Sequence, residues 1–337
     1  MKTVKITDKE KAELVEVPEP KAKGEFAVVR IHSAPMCTEY KSYIDGVTGE
    51  VLGHEAAGEV VEVDRDGPVK VGDRVVVMPQ RPCGRCELCL KGEYIHCQNC
   101  LDLAEATGYE YGDGTYAQYI LKQDRLLVPI PDDISFDEAS MACCGLGPTF
   151  GAMQLMDVDS FDTVVITGMG PVGLGGVINA VYRGAKVIAV SRNPYRANLA
   201  KQLGAKEIVN PEENNAAQRI TKLTEGRGFD KGVDCSGVPE RIRLLIDTVR
   251  RKGKIALVGE SGDLTIKVSD DMIRKGLEVY GVWHYNLSDT PRMMDIISQT
   301  RPKLNKLITH TFPMSKVEEA FDLQIKGKCG KIVLHPW

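Results

Sequence analysis

A chain of 337 residues with 43% hydrophobic and 27% charged side chains is long enough for about two domains, each with its own buried core. Its net charge of −4 leaves no electrostatic footprint for nucleic acid or for an anionic membrane surface. No apolar run approaches the roughly 20 residues that span a bilayer, and the opening Met1-Lys-Thr-Val-Lys-Ile-Thr-Asp-Lys-Glu10 lacks the apolar centre of a secretion signal, so a cytoplasmic protein is expected.

Residues 1–34 alternate in short extended segments, Lys2–Ile6, Ala12–Val17 and Phe26–Ser33, punctuated by Pro18 and Pro20. Period-2 alternation between polar turns predicts antiparallel β structure. Met36-Cys37-Thr38-Glu39-Tyr40 comes next, followed after a short loop by Leu52-Gly53-His54-Glu55. Thiolate, imidazole and carboxylate on neighbouring segments are the ligand types zinc prefers. Glu55 is either a direct ligand or a group that orients the site. Each residue alone is unremarkable, since a lone cysteine or histidine is usually part of a core.

Strand-like text resumes at Ala57–Val63 and Asp73–Met78, ahead of Cys83-x2-Cys86-x2-Cys89-x7-Cys97. A reducing compartment disfavours disulfides, so four of the ten cysteines within 15 residues point to metal. Four thiolates fill a tetrahedral zinc and leave no place for substrate, which makes this ion structural. Cys100 lies just outside the set. Tyr109–Ile120 and Arg125–Pro131 read as two more strands, and a helical pattern from Phe136 runs into Ala142-Cys143-Cys144-Gly145. One of those two cysteines can complete the metal site begun by Cys37 and His54. A further helix, Phe150–Met156, leads into the next unit.

The stretch Asp162–Arg196 is the most informative of the chain. An apolar β-branched run ends in Gly168-Met-Gly170-Pro171-Val172-Gly173, a small-residue helix follows, and a second apolar strand ends at Val190. This is one strand–helix–strand unit with a dinucleotide-binding turn. Gly168 permits the tight turn, Gly170 lets the backbone approach a pyrophosphate, and Gly173 lets the helix pack on the sheet. An acidic residue at the end of the second strand would favour NAD. Ser191-Arg192 stands there instead, with Arg196 one turn further on, a set suited to a 2′-phosphate and hence to NADP(H). Strands near Glu207–Val209, Gly232–Cys235, Lys254–Val258 and Leu277–Val282 alternate with helical patterns at Ala216–Leu223, Glu240–Arg250 and Asp270–Lys275. The expected fold is therefore α/β, with a doubly wound six-stranded parallel sheet.

Taken together, Cys37, Gly53-His54-Glu55, the cysteine lobe 83–97, the glycine turn and their order resemble the medium-chain, zinc-dependent alcohol and polyol dehydrogenases over essentially the full length. The resemblance implies a GroES-like β-rich catalytic domain over 1–148, carrying the structural-zinc lobe at 83–100. It implies a Rossmann nucleotide domain over 149–287 and a return to the catalytic domain over 288–337, with the active site in the cleft between domains. It implies Cys37, His54 and Cys144 as ligands of a catalytic zinc, with Glu55 left ambiguous and Cys143 the less favoured neighbour. Zinc acts in such a site as a Lewis acid on the substrate oxygen while the nucleotide carries the hydride.

One departure stands out. Relatives place Ser or Thr two residues after the first cysteine to pass the substrate proton onward, whereas this chain has Thr38 at plus one and Glu39 at plus two. Either Thr38 takes that role through a shifted turn or Glu39 is the base itself. Ser42 stands where relatives often carry a relay histidine. Glu39, Tyr40, Lys41 and Tyr43, with Trp283-His284-Tyr285, would give a polar pocket with aromatic walls, fit for a polyol, sugar or cyclitol. The resemblance also implies a homodimer or homotetramer. The competing readings are an NADPH-dependent reductase of small aldehydes and ketones, a non-catalytic nucleotide-binding relative, and, least favoured by the charge, a nucleic-acid role for the cysteine lobe.

Overall fold

The computed structural model describes residues 1–49 and 51–337, and its contacts divide into two units. The first comprises Met1–Gly145, Asn286–Leu304 and Ile308–Trp337; the second comprises Leu146–Tyr285 and Asn305–Leu307. The divisions fall at Gly145 and Tyr285.

The first unit opens with an antiparallel pair, β1 (Lys2–Asp8) and β2 (Lys11–Glu16). β3 (Phe26–Pro35) is the long central strand, and it pairs antiparallel with β4 (Ala56–Glu62), which in turn pairs with β5 (Arg74–Val77). β6 (Tyr119–Gln123) lies on β3, and β7 (Leu127–Pro129) on β5. Val29, Ile31, Val60, Val75 and Val77 bury their side chains in one core, the inward half of the alternation that the sequence shows.

The strand expected over Tyr109–Ile120 is mostly absent. Residues 109–118 form an irregular loop whose Thr115 and Tyr116 N–H groups bond to Gly53 and Leu52 carbonyls, and pairing with β3 begins only at Tyr119. Those backbone groups find partners in a neighbouring loop instead of a ladder, so period-2 composition does not become a strand. A short helix, Leu103–Thr107, is started by Asp102, whose side chain accepts from the Glu105 N–H.

The second unit is an open parallel sheet of six strands: β8 (Thr163–Thr167), β9 (Lys186–Val190), β10 (Glu207–Val209), β11 (Phe229–Asp234), β12 (Val249–Leu257) and β13 (Glu278–Gly281). Their spatial order is β10-β9-β8-β11-β12-β13. That order reverses direction at β8, the topological switch point where doubly wound sheets bind ligands beyond the strands' carboxyl ends. β8 and β9 are apolar and buried along nearly their whole length, as strands covered on both faces must be.

The chain then returns to the first unit with β14 (Ile308–Pro313) and β15 (Lys331–His335). β15 pairs parallel with β14 and antiparallel with β3, completing a sheet ordered β14-β15-β3-β4-β5-β7, with β6 paired to β3 off that path. Among the described residues, no helix is long and apolar enough to cross a membrane.

Candidate functional site

The first unit gathers Cys37, His54, Glu55 and Cys144. Cys37 follows the end of β3, His54 and Glu55 immediately precede β4, and Cys144 lies beyond the helix Phe136–Ser140. One donor atom from each of the four lies within 4.8 Å of the others. His54 Nε2 is 3.3 Å from Cys144 Sγ. Gly53 makes the approach possible: its φ is +83°, and a Cβ there would fall 2.4 Å from Thr115 Oγ1 and from a Tyr116 ring carbon. Cys143 turns the other way, its buried thiol directed at the Val77 carbonyl.

Around these donors sits a layer of buried groups. Glu39 is buried, and its Oε1 lies 2.7 Å from His54 Nδ1. Its Oε2 accepts from the Cys37 N–H at 2.9 Å and from the Tyr116 hydroxyl at 3.0 Å. Burial alone would raise the Glu39 pKa, but the hydrogen bond and charge of His54 bring it down to about 2. Burial likewise opposes charge on His54, yet its bonds to Cys37 and Glu39 raise its pKa to about 11. A carboxylate on Nδ1 fixes the tautomer that leaves Nε2 free for a metal. Gln324 holds the Cys37 carbonyl at 2.5 Å.

Glu55 is anchored on both oxygens. Its Oε1 meets Lys331 Nζ at 2.6 Å, and its Oε2 accepts from the Cys144 N–H at 3.1 Å. Both side chains are 0% exposed. Burial carries the Glu55 pKa up to about 7 despite the lysine; burial also opposes the charge of Lys331, but Glu55, Cys37 and Cys144 together outweigh it and keep the amine protonated. Hydrogen bonding from Cys144 and the charge of Lys331 favour the thiolate of Cys37, with burial opposing. Two thiolates and an imidazole are a soft, borderline donor set that suits zinc and leaves a fourth position open.

The second cysteine cluster is of a different kind. Cys83, Cys86, Cys89 and Cys97 bring four sulfurs together, with separations of 3.4 Å (Cys86 to Cys89) and 3.9 Å (Cys83 to Cys89 and Cys86 to Cys97). Sulfurs at bond lengths of roughly 2.3 Å on a tetrahedral zinc would be about 3.8 Å apart, so the set fits. The Cys83 and Asn99 N–H groups point at Cys97 Sγ, as they would at a thiolate. Cys100 is exposed and donates to the Cys97 carbonyl, outside the cluster.

In the second unit the glycine turn joins β8 to the helix Pro171–Tyr182, with Gly170 as its N-cap and Pro171 at the first turn. Gly168 has φ +81°, and Gly173 approaches so closely that a Cβ would lie 2.0 Å from the Gly168 carbonyl. A Cβ on Gly170 would meet nothing within 4 Å, so the helix start is open on the side where a pyrophosphate would be cradled. Ser191 bonds within its own turn to Asn193. Arg192 is largely exposed and 3.3 Å from Glu212, while Arg196 lies in the first turn of the helix Pro194–Leu203, its N–H donating to the Asn193 cap.

Comparison with known proteins follows the same two-unit division. Residues 23–132 match the alcohol dehydrogenase GroES-like domain and residues 171–299 the zinc-binding dehydrogenase domain. The chain is 30% identical to sorbitol dehydrogenase of Bacillus subtilis over 350 positions, covering 100% of this chain and 97% of that protein. It therefore belongs to the medium-chain zinc alcohol and polyol dehydrogenase family. L-threonine 3-dehydrogenase of Pyrococcus horikoshii is 32% identical, with 96% of this chain and 94% of that protein covered. Galactitol-1-phosphate dehydrogenase from Escherichia coli superposes with a TM-score of 0.86 at 25% identity, covering 100% of both chains. The alcohol dehydrogenase TADH from Thermus sp. ATN1 shares the fold, with a TM-score of 0.90 at 24% identity over 100% of both chains.

As a zinc-type alcohol dehydrogenase the chain is an oxidoreductase, and several residues take places that its sequence did not announce. Tyr43 cannot be a pocket wall, because it is buried in the first unit's core and stacked on Phe321 at 4.5 Å. His284 and Tyr285 are likewise buried, with Tyr285 packed edge-on against Phe150. Trp283 is exposed. Glu39 does not face solvent. Lys331, Gln324 and Tyr116 carried no recognisable sequence signal for this site, apart from the charge of Lys331 opening the apolar run Ile332-Val333-Leu334.

Proposed function

We propose that this dehydrogenase transfers a hydride between NADP(H) and a secondary alcohol or its ketone, the alcohol being a polyol, sugar or cyclitol. The cofactor choice rests on one observation, that the end of β9 presents Ser191, Arg192 and Arg196 and no acidic side chain. Arg192 would give up an exposed pair with Glu212, of little worth in water, for a charge-assisted fork on a 2′-phosphate. The substrate class is supported by similarity to proteins named for sorbitol and galactitol 1-phosphate.

Zinc, when bound, supplies a Lewis acid for the substrate oxygen, and the nicotinamide takes up or returns the hydride. Cys37, Cys144 and His54 Nε2 would hold that metal, and the lobe cysteines 83, 86, 89 and 97 a second, structural one. Glu39 is the carboxylate that orients His54: both its oxygens are engaged, and a pKa near 2 makes it a poor proton acceptor. The exposed Thr38 hydroxyl, next to Cys37, then takes the substrate proton outward. Glu55, bound to Lys331 and to the Cys144 N–H, steadies the ligand set from behind.

The deciding experiment is binding of NADP(H) and NAD(H), side by side, to the zinc-loaded protein. A preference for NADP(H) of about tenfold or more is expected. A preference for NAD(H) would reassign the arginines to surface charge, and binding of neither would overturn nicotinamide-dependent hydride transfer altogether. A panel of polyols and aldehydes, run in both directions with the preferred nucleotide, then tests the substrate class.

A further inference from the structure

Beside the glycine turn and the end of β9 stands a third element of the second unit. Asp234, the last residue of β11, is completely buried. Its Oδ1 accepts from Thr167 Oγ1 at 2.6 Å, from Ser236 Oγ at 2.6 Å and from the Ser236 N–H at 3.2 Å. Its Oδ2 accepts from the Gly237 N–H at 3.0 Å. No lysine or arginine pairs with it among the described residues. Four donors do the work that a cation would otherwise do.

Those donors come from strategic places. Thr167 ends β8 and is followed directly by Gly168, the first glycine of the turn. The Asp234 carbonyl accepts from the Val258 and Gly259 N–H groups, just beyond β12, and the Cys235 N–H returns to the Thr167 carbonyl. Asp234 thus ties together the carboxyl ends of three neighbouring strands at the switch point of the sheet. The loop it shapes presses on the turn: a Cβ on Gly168 would lie 2.6 Å from both the N and Cα of Ser236. The order continues outward, because Ser236 Oγ also accepts from the Val238 N–H, at the N-cap of the helix Pro239–Thr248.

We infer that Asp234 is a positioning residue for the dinucleotide: by fixing residues 235–238 against Gly168, it holds the glycine turn in the shape that receives the cofactor. The inference rests on the nucleotide reading and adds to it a residue that touches no cofactor. Its contribution is geometric, not electrostatic. A buried negative charge beside an anionic ligand would by itself weaken binding, so the four hydrogen bonds are the reason for the carboxylate. Asparagine can reproduce most of them. Its carbonyl can serve the Gly237 N–H while its amide donates to the Thr167 and Ser236 hydroxyls, which rotate to accept; only the Ser236 N–H loses a partner.

The test is fluorescence titration of NADPH and NADH into zinc-loaded full-length protein, with zinc content and unfolding midpoint recorded for each variant. Asp234→Ala leaves buried donors without an acceptor and should weaken nucleotide binding about tenfold or more, with zinc content unchanged. Asp234→Asn should return the affinity to within about threefold of the parent, a rescue that a simple need for charge would not give. Where steady-state rates are available, the KM for nucleotide should rise and kcat should hold. If the alanine variant does not fold, Ser236→Ala decides, since it removes only the link from the carboxylate to Val238. Weakening by about threefold or more supports the inference. Parent-like affinity in Asp234→Ala, or in Ser236→Ala where the first variant fails, overturns it. Failure of the parent protein to bind either nucleotide would overturn the nucleotide reading, and this inference with it.

Discussion

Replacing Lys331 by methionine is the most informative perturbation of the metal-binding unit. The substitution keeps most of the side chain's length and removes its charge and its hydrogen bond, leaving Glu55 fully buried with no cation at 2.6 Å. Two thiolates already cancel a bound zinc dication, so Lys331 is the counter-charge that Glu55 would lose. The carboxylate then has to protonate. Beside the lysine Glu55 already titrates near 7, so the parent is half neutral there and the cation is missed chiefly at higher pH. At pH 9 keeping the carboxyl neutral costs about 2 × 1.36, or roughly 2.7 kcal/mol, more than the parent loses. That approaches the loss of about 3–5 kcal/mol seen when one member of a buried pair is removed. The sign follows from linkage. A carboxyl whose folded pKa is raised stabilises the protein below its unfolded pKa, and that stability is lost as pH rises toward the folded value. That loss levels off above about pH 7 in the parent and continues in Lys331→Met, so the deficit should be under about 0.5 kcal/mol at pH 7 and grow as pH rises.

The two tryptophans make the measurement clean, because Trp337 belongs to the first unit and Trp283 to the second. With Trp283 replaced by phenylalanine, urea unfolding followed by Trp337 fluorescence reports the unit that holds Lys331. The midpoint should fall by on the order of 1–2 M at pH 9. Adding Glu55→Gln to the lysine variant should recover most of the loss, since no charge is then stranded. A deficit below about 1 kcal/mol at pH 9, or a double variant as unstable as the single one, would refute the reasoning.

Glu39→Gln should weaken zinc at the catalytic site by about 10–100-fold in a chelator competition, because an amide holds His54 less strongly and cannot also accept from the Cys37 N–H; unchanged affinity would mean that the carboxylate does not orient the imidazole. Cys97→Ser should remove one of the two metal clusters, so that zinc content drops from two ions per chain to one, and a count still at two would discredit the four-thiolate assignment. In the second unit, burial opposes the charge of Asp230, but Arg227, the Thr163 N–H and Arg250 lower its pKa from 3.8 to about 2. A depressed carboxylate stabilises above its unfolded pKa and loses that contribution as pH falls through its folded one. Asp230→Asn should thus cost on the order of 1–2 kcal/mol at pH 7, followed by Trp283 fluorescence, and the gap from the parent should close between pH 4 and pH 2; a gap independent of pH would count against the ion pairs.

How much of the molecule was legible in its sequence depends on how far apart the partners lie in the chain. The cysteine lobe and the glycine turn are local, so spacing alone exposes their chemistry, and the alternation beyond Arg196 gives the parallel sheet. Cys37 and His54 could be grouped by ligand type, but Cys144 was preferred to Cys143 only through the resemblance to a family. Groups that reach the site from the far end of the chain left almost no trace. Lys331 opens what reads as an ordinary strand, and only the insertion of β15 between β14 and β3 makes it a buried partner of Glu55. Tyr43 and the loop 109–118 failed for a related reason: each has the right composition for the role expected of it, and a tertiary contact, with Phe321 or with Leu52 and Gly53, decides otherwise.

The return of the chain has a consequence for synthesis. All of the sulfur, nitrogen and carboxylate donors of the candidate catalytic site are translated by Cys144, yet Lys331, the partner of Glu55, follows after nearly 190 further residues. Until then β3 lacks the partner that β15 provides along its C-terminal end, and Glu55 lacks its cation. The nucleotide-binding unit, almost wholly continuous in sequence, is under no such constraint. A nascent chain stopped at Tyr285 should therefore resist protease over residues 146–285 while its first 145 residues are still cut. Folding of the zinc-binding half then waits on synthesis of β15, so the strand that closes its sheet also sets the moment at which Glu55 gains its cation.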